Sequence, residues 1–248
     1  MPLNHTHTGD QDALDEFLAG VLVAAADRPI LADFYCCQGG ATRGYQLAGY
    51  YVLGIDLDPQ PRYCGEAFIQ GDALTLIAAM AAWIAANAAF VHGSPPCQGY
   101  SAAQVIQGND HPWLISPTRD AFNALGVPWV IENVPGAASH MISPIVLCGT
   151  MFGLQTYRDR LIEPGGGLVL PQPHHPRHDA PITKMGRPRR PGEMAHYVGN
   201  FSGVQEARDD LNVPWMNRDG IRESIPPHYA RWVGEQATRQ LTAAPMPA

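Results

Sequence analysis

ILADFYCCQGG at Ile30–Gly40, followed by YVLGID at Tyr51–Asp56, decides the fold. A short apolar run ends in a Gly39-Gly40 turn, Thr42–Ala48 has helical character, and a second apolar run stops at Asp56 and Asp58. This is the succession strand, glycine turn, helix, strand, acid. The pattern repeats downstream. Phe68–Gln70 leads to Gly71-Asp72, Ala73–Asn87 is an alanine-rich helix, and Ala89–His92 is a strand broken by Gly93-Ser94-Pro95-Pro96. Alternating strands and helices place the chain in the α/β class, with a mostly parallel sheet and helices on both faces.

Working outward, Leu14, Phe17, Leu18, Val21 and Leu22 fall at helical spacing and predict a leading helix over Asp10–Ala26, after an acidic first turn that suits the helix dipole. Pro117–Leu125 reads as a helix and Pro128–Ile131 as a strand stopping at Glu132-Asn133. Val146–Leu147 and Arg160–Glu163 supply the last strands. From Pro164 to Asn200 there is little periodicity and much Gly, Pro, His and Arg, the composition of an irregular insertion. A last helix is predicted over Pro227–Leu241, with Pro in its first turn.

A chain of 248 residues suffices for one large domain or a domain with a small lobe. Its apolar stretches, Val21–Ala26 and Ile77–Ala86, are too short to cross a bilayer, and no basic-then-apolar leader begins the sequence, so a cytoplasmic protein that does not engage membranes is expected, as a monomer by default. Five cysteines without a CxxC pair argue against a disulfide scaffold. The net charge of −7 alone would count against a nucleic-acid partner. The distribution of charge points the other way, because residues 158–190 hold seven basic side chains against three acidic ones.

Functional groups of an open parallel sheet collect at the carboxyl ends of its strands. Gly39 and Gly40 let backbone approach a ligand there, Asp56 is placed to accept both hydroxyls of a ribose, and Asp72 to accept from an adenine amino group. The alternative is an ordinary tight turn with two solvated acids. The spacing is not GxGxxG, which disfavours a nicotinamide dehydrogenase. Cys97 sits on a rigid loop just past a strand, where a thiol is either an activated nucleophile or an inert buried residue. Glu132 ends an apolar strand, an environment that raises a carboxyl's affinity for its proton. Arg158 and Arg160 alternate along an extended segment and would point the same way, as a two-pronged contact to an anion or base requires. His174, His175 and His178 with Cys148 fit no common zinc spacing, so no metal is expected. Lys184, Arg187, Arg189 and Arg190 are read as phosphate contacts.

Asp33-Phe-Tyr-Cys-Cys-Gln-Gly-Gly40, Asp56, Gly71-Asp72, Ser94-Pro-Pro-Cys-Gln98, Glu132-Asn-Val134 and Arg158-Asp-Arg160 occur in one order. That order resembles the motif series of the C5 cytosine DNA methyltransferases that use S-adenosylmethionine. Asp58-Pro-Gln-Pro-Arg-Tyr63, His111-Pro-Trp-Leu-Ile115, Met151-Phe-Gly153 and Glu223-Ser-Ile-Pro-Pro227 are similar to the compact, phage-type branch. The resemblance implies a Rossmann-like S-adenosylmethionine-dependent methyltransferase fold with a short target-recognition insertion. It divides the chain into a helical extension (1–29), a catalytic and cofactor-binding domain (30–163), the insertion (164–200) and a returning C-terminal segment (201–248).

By the same resemblance, Cys97 would be the nucleophile toward carbon 6 of a flipped-out cytosine. Glu132 would protonate nitrogen 3, and Arg160 with Arg158 would hold the base carbonyl. Asp33, Phe34, Tyr35, Cys37, Gly39, Gly40, Asp56, Leu57, Asp72, Ala73, Pro96, Ser224 and Ile225 would surround the cofactor. Gln98 and Ser101 would join Lys184, Arg187, Arg189 and Arg190 on double-stranded DNA. Cys37 stands where the family pattern has a glycine, so a side chain there crowds the cofactor or demands a different backbone angle. Gln155 lies one residue too early for the pattern, and Glu223 replaces its asparagine. An RNA acceptor, or a DNA-binding protein impaired in cofactor use, are the alternatives.

Overall fold

The computed structural model describes residues 2–97, 99 and 113–243. Its strands are β1 (Leu3–Thr6), β2 (Ile30–Phe34), β3 (Tyr51–Asp56), β4 (Ala67–Gln70), β5 (Ala88–Gly93), β6 (Trp129–Asn133), β7 (Ile145–Leu147) and β8 (Arg160–Gly165). Its helices are α1 (Gln11–Ala25), α2 (Gly40–Leu47), α3 (Ala73–Ala79), α4 (Ala81–Asn87), α5 (Ile115–Ala124), α6 (Val204–Leu211), α7 (Arg218–Glu223) and α8 (Pro227–Ala243). Two short 3-10 turns, Pro135–His140 and Gly149–Phe152, flank β7.

All strands join one sheet in the order β1-β4-β3-β2-β5-β6-β8-β7. The pairs from β1 through β6 are parallel, and β8 alone runs against its neighbours. Every residue of β2 and β3 is buried, as expected for strands covered on both faces. Successive side chains point to opposite faces. Ile30, Ala32 and Phe34 therefore pack with Leu14 and Leu18 of α1, Leu76 of α3 and Phe122 of α5. Leu31 and Val52 pack with Tyr45 of α2, Leu211 of α6, Ile221 of α7 and Tyr229 of α8. The two-faced α/β architecture is the one the sequence predicts.

Three local features differ from the sequence reading. Residues Leu3–Thr6 form an edge strand parallel to β4; LNHT has almost no apolar signal because an edge strand with one partner needs little. The alanine-rich helix is interrupted at Met80 (φ −101°, ψ 4°), which is 1% exposed, so packing of this side chain overrides a sequence with no breaker in it. Helices α6 and α7 lie in the C-terminal segment at 201–226, for which the sequence reading named no element; α7 starts where the Asn217 side chain accepts from Gly220 N. Past β8, as expected, residues 166–200 hold no helix or strand, yet they bury Leu168, Leu170, Ala195 and Tyr197. No helix among the described residues is long and apolar enough to cross a membrane.

Helices α2 and α8 meet at Gly44, where an added Cβ would lie 2.2 Å from Pro227 O and 2.7 Å from the Ala230 Cβ. Alanine ordinarily stabilises a helix interior relative to glycine by about 1 kcal/mol. Here the close approach dominates. Gly44→Ala is expected to destabilise the protein by about 1–3 kcal/mol, read in thermal unfolding as roughly 2–4 °C per kcal/mol for a chain of this size.

Candidate active site

The strand order reverses at β2, whose neighbours are β3 on one side and β5 on the other. The carboxyl ends of β2 and β5 therefore open a crevice, the position where ligands bind in open α/β sheets. The turn after β2 has three residues in left-handed conformation, Tyr35 (φ 62°), Cys37 (φ 46°) and Gly39 (φ 86°). Cys37 keeps a positive φ in spite of its side chain, so of the two expectations the different backbone angle is not met. Its backbone N–H donates to Asp56 Oδ2 at 2.8 Å, while Asp56 Oδ1 accepts from Asp58 N at 3.0 Å and Gln60 Nε2 at 3.2 Å. Asp56 thus ties the turn after β2 to the one after β3, a role additional to the ribose contact read from the sequence.

Around this turn stand the other residues assigned to the cofactor. Leu57 is 66% exposed next to Asp56. Asp72 caps α3, one oxygen accepting from Thr75 N and Oγ1, so the other remains available; Ala73 opens the helix behind it. Tyr35 is fixed by its hydroxyl at 2.8 Å from Thr118 Oγ1. A Cβ on Gly40 would meet Ile225 O at 2.4 Å and the Ser224 Cβ at 2.9 Å, so Ser224 and Ile225 close over the turn, and only glycine permits it. Asp33 and Phe34 are placed beneath the crevice instead of in it. Phe34 is fully buried against Phe122, and the 1%-exposed Asp33 carboxylate accepts from Thr42 Oγ1 at 2.6 Å. Burial, above all, raises the Asp33 pKa to about 7.

Cys97 lies past the end of β5 on a loop held from three sides. Asn133 Nδ2 donates to Pro95 O at 2.9 Å, Ser94 N donates to Phe34 O at 3.2 Å, and Ser94 Oγ lies 2.8 Å from His92 Nε2. His92 is buried, which lowers its pKa to about 3, and its Nδ1 lies 2.7 Å from the Tyr45 hydroxyl. It is a neutral strut. At the end of the adjacent strand β6, Glu132 Oε1 lies 2.9 Å from Arg160 Nε, with both residues under 10% exposed. Burial raises the Glu132 carboxyl's affinity for its proton, against the pull of Arg160. Burial and the Glu132 charge raise the Cys97 thiol, which Arg160 and Arg158 oppose. Sequence reasoning assigned no part to Asn133, His92 or Thr118. The only sign of them was polarity within or beside buried strands.

Arg158 departs from the two-pronged arrangement. Its φ of 41° breaks the extended alternation, so its guanidinium turns away from that of Arg160. It donates to Tyr197 O, Ile221 O, Arg222 O and Ser224 O at 2.6–3.2 Å. It positions the C-terminal segment, and Arg160 alone faces Glu132. The basic strip is also partly engaged. Arg187 pairs with Glu193 and Arg189 with Glu206, whereas the Lys184 and Arg190 side chains form no ion pair among the described residues. Gln98 and Ser101, and the start of the His111–Ile115 phrase, lie outside the described residues.

No family model and no curated protein matches the chain. Two solved structures share its fold. One is described as a DNA modification methyltransferase encoded within a prophage (E. coli), 13% identical, covering 87% of this chain and 100% of its own, with a TM-score of 0.55. The other is the S. pombe Dnmt2 methyltransferase, 11% identical, covering 86% and 99%, with a TM-score of 0.54. At these identities the likeness is one of fold, Rossmann-like with a mostly parallel eight-stranded sheet.

The buried Asp33 carboxyl sets a pH dependence. Its pKa is about 7 in the folded protein against 3.8 ordinarily, so between those values the folded state binds more protons and stability falls as pH rises. Asn at this position can accept the Thr42 bond without ionising. Urea unfolding of Asp33→Asn and the parent from pH 5 to about pH 8 is expected to show the variant gaining on the parent as pH rises; a constant difference would rule out the buried, neutral carboxyl.

Proposed function

We propose that the protein is an S-adenosylmethionine-dependent methyltransferase acting on carbon 5 of cytosine in double-stranded DNA. The observation that carries the reading is the buried Glu132–Arg160 pair at 2.9 Å, on strands adjoining the loop of Cys97 and beside a crevice lined by Asp56 and Gly39-Gly40. The crevice suits an adenosyl group. Leu57 offers an exposed apolar face beside Asp56, and Asp72 has an oxygen left by its cap. S-adenosylmethionine would supply an electrophilic sulfonium methyl. Tyr35, Gly39, Gly40, Pro96, Ser224 and Ile225 would hold its methionine end, with Cys37 narrowing that side.

Carbon 5 of cytosine is a weak nucleophile until a group adds to carbon 6. Cys97 would lose its proton to solvent and add there as thiolate, Arg160 offsetting the burial that keeps the thiol protonated. Glu132, whose burial favours its protonated form, would deliver that proton to nitrogen 3 as the sulfur–carbon bond forms. Arg160 would hold both Glu132 and the base carbonyl. No side chain among the described residues is assigned the removal of the carbon 5 hydrogen; water would serve as the base, and Cys97 would then depart. The cytosine must leave the duplex at a cost of a few kcal/mol, offset by backbone contacts. Lys184 and Arg190 would make these, and Arg187 and Arg189 would exchange surface ion pairs of small net value for phosphates.

The test incubates the full chain with unmethylated plasmid and S-adenosylmethionine carrying a labelled methyl, and maps modified cytosines. Label on carbon 5 is expected, and Cys97→Ala should reduce it to background while circular dichroism stays unchanged. Transfer that survives Cys97→Ala would end the covalent mechanism, and label found in RNA instead would change the acceptor. Glu132→Gln should cost about 10²–10⁴-fold.

The two arginines should separate. Arg160→Lys is expected to lower kcat with little change in melting temperature. Arg158→Lys strips partners from buried carbonyls and should cost about 3 kcal/mol or more of stability. Equal effects of both on turnover, with stability unchanged, would restore the two-pronged arrangement.

A further inference from the structure

Cys148, Asp159, His175 and His178 converge although they come from three separate segments, and each offers one ligand atom within 4.8 Å of the others. Cys148 follows β7, Asp159 precedes β8, and both histidines belong to the irregular insertion. We propose that these four side chains form a structural zinc site that fastens the insertion to the edge of the sheet. The proposal is independent of the reaction assigned above.

Three separations between ligand atoms match those of a tetrahedral shell, and all lie within 4.8 Å. Ligand bonds of about 2.3 Å to sulfur and about 2.0–2.1 Å to nitrogen or oxygen place neighbouring ligand atoms about 3.4–3.6 Å apart. The observed separations are 3.3 Å from Cys148 Sγ to His178 Nε2, 3.5 Å from His175 Nε2 to Asp159 Oδ1 and 3.6 Å from His178 Nε2 to Asp159 Oδ1. Asp159 Oδ1, where the two imidazoles converge, is buried and makes no hydrogen bond, a costly state for a carboxylate oxygen that an ion would resolve. His175 Nδ1 lies 2.9 Å from Pro176 O, and a proton held there leaves the Nε2 lone pair facing inward, the usual support of a metal-bound imidazole. His178 stacks on Tyr157 at 3.7 Å, which fixes its plane.

The donor chemistry selects the metal. One thiolate, two imidazoles and a carboxylate suit zinc, and four protein ligands make a closed, structural shell. Thiolate and carboxylate together balance the charge of a divalent ion. The side chains of His175, His178 and Asp159 are about a third exposed, so an ion can enter. His174, singled out with them in the sequence, is not a member. The linear spacing concealed the site because Asp159 carries no zinc signature and the sheet edge supplies two of the four ligands. Binding would pin Asp159, whose carbonyl accepts from Arg160 Nη1 at 3.0 Å, and so steady the start of β8.

The test uses the purified full chain. Elemental analysis is expected to find zinc at one per chain. After removal by a chelator, titration with cobalt(II) should give the visible d–d bands of a tetrahedral centre with a thiolate charge-transfer band. His175→Ala and His178→Ala lie on exposed loops; each should abolish stoichiometric binding with circular dichroism unchanged. Cys148→Ser should remove the charge-transfer band, and if that buried variant fails to fold, the two histidine variants decide alone. No retained zinc and no saturable cobalt spectrum would overturn the proposal and leave a hydrogen-bonded cluster, as would binding unchanged in both histidine variants.

Discussion

A guanidinium buried among backbone carbonyls holds the C-terminal segment against the start of β8. Arg158 gives its donors to carbonyls at Tyr197, Ile221, Arg222 and Ser224, so β8, the end of the insertion and the segment before α8 meet at one charge. Burial lowers its pKa to about 9, which still leaves it charged at neutral pH. Removing such a charge from water is costly unless its donors are satisfied, and here the satisfying groups are backbone carbonyls. The consequence reaches the crevice: Ser224 O is one of the acceptors, and the same residue packs over Gly40 with Ile225.

Three buried carboxylates show how an acidic chain tolerates charge inside its core. Glu163 is met by Arg119 through both oxygens, at 2.6 and 2.8 Å, and by Ile142 N. That is the bidentate geometry best able to offset desolvation. Glu132 has a single arginine contact, and Asp33 only a hydroxyl, with His92 Nε2 at 4.0 Å. At Glu132 and at Asp33 burial outweighs these contacts and favours the proton. Glu163 is a structural tie, whereas Glu132, held by Arg160 and Ser94 and with a raised proton affinity, retains the capacity for proton transfer that the proposed chemistry asks of it.

The strands and the glycine turn were legible because fully buried strands read as unbroken apolar runs and Gly39-Gly40 punctuates the first of them. Cys37 was legible as a departure but its backbone was not, since it keeps a glycine's positive φ where a different angle was one of the two expectations. What escaped depends on tertiary context. β1 is short and polar, and Met80 breaks a helix by its burial alone. Arg158 and Arg160 look equivalent at a spacing of two until a left-handed φ at the first turns them apart. The Cys148 cluster is assembled by the fold from residues that no linear pattern connects.

Cys37 also shows where strain is tolerated. A non-glycine residue in the left-handed region costs roughly 1–2 kcal/mol. That cost persists because the Cys37 N–H is held by Asp56 and the turn is closed from above by Ser224 and Ile225. Asp56, Glu223, Asp33 and Cys97 are all near enough to perturb its thiol, which burial pushes up most of all. The strained residue is therefore coupled both to the acid of the turn after β3, Asp56, and to the loop that carries Cys97. Backbone strain that gains nothing in packing is found where surrounding structure over-determines it, commonly at functional sites.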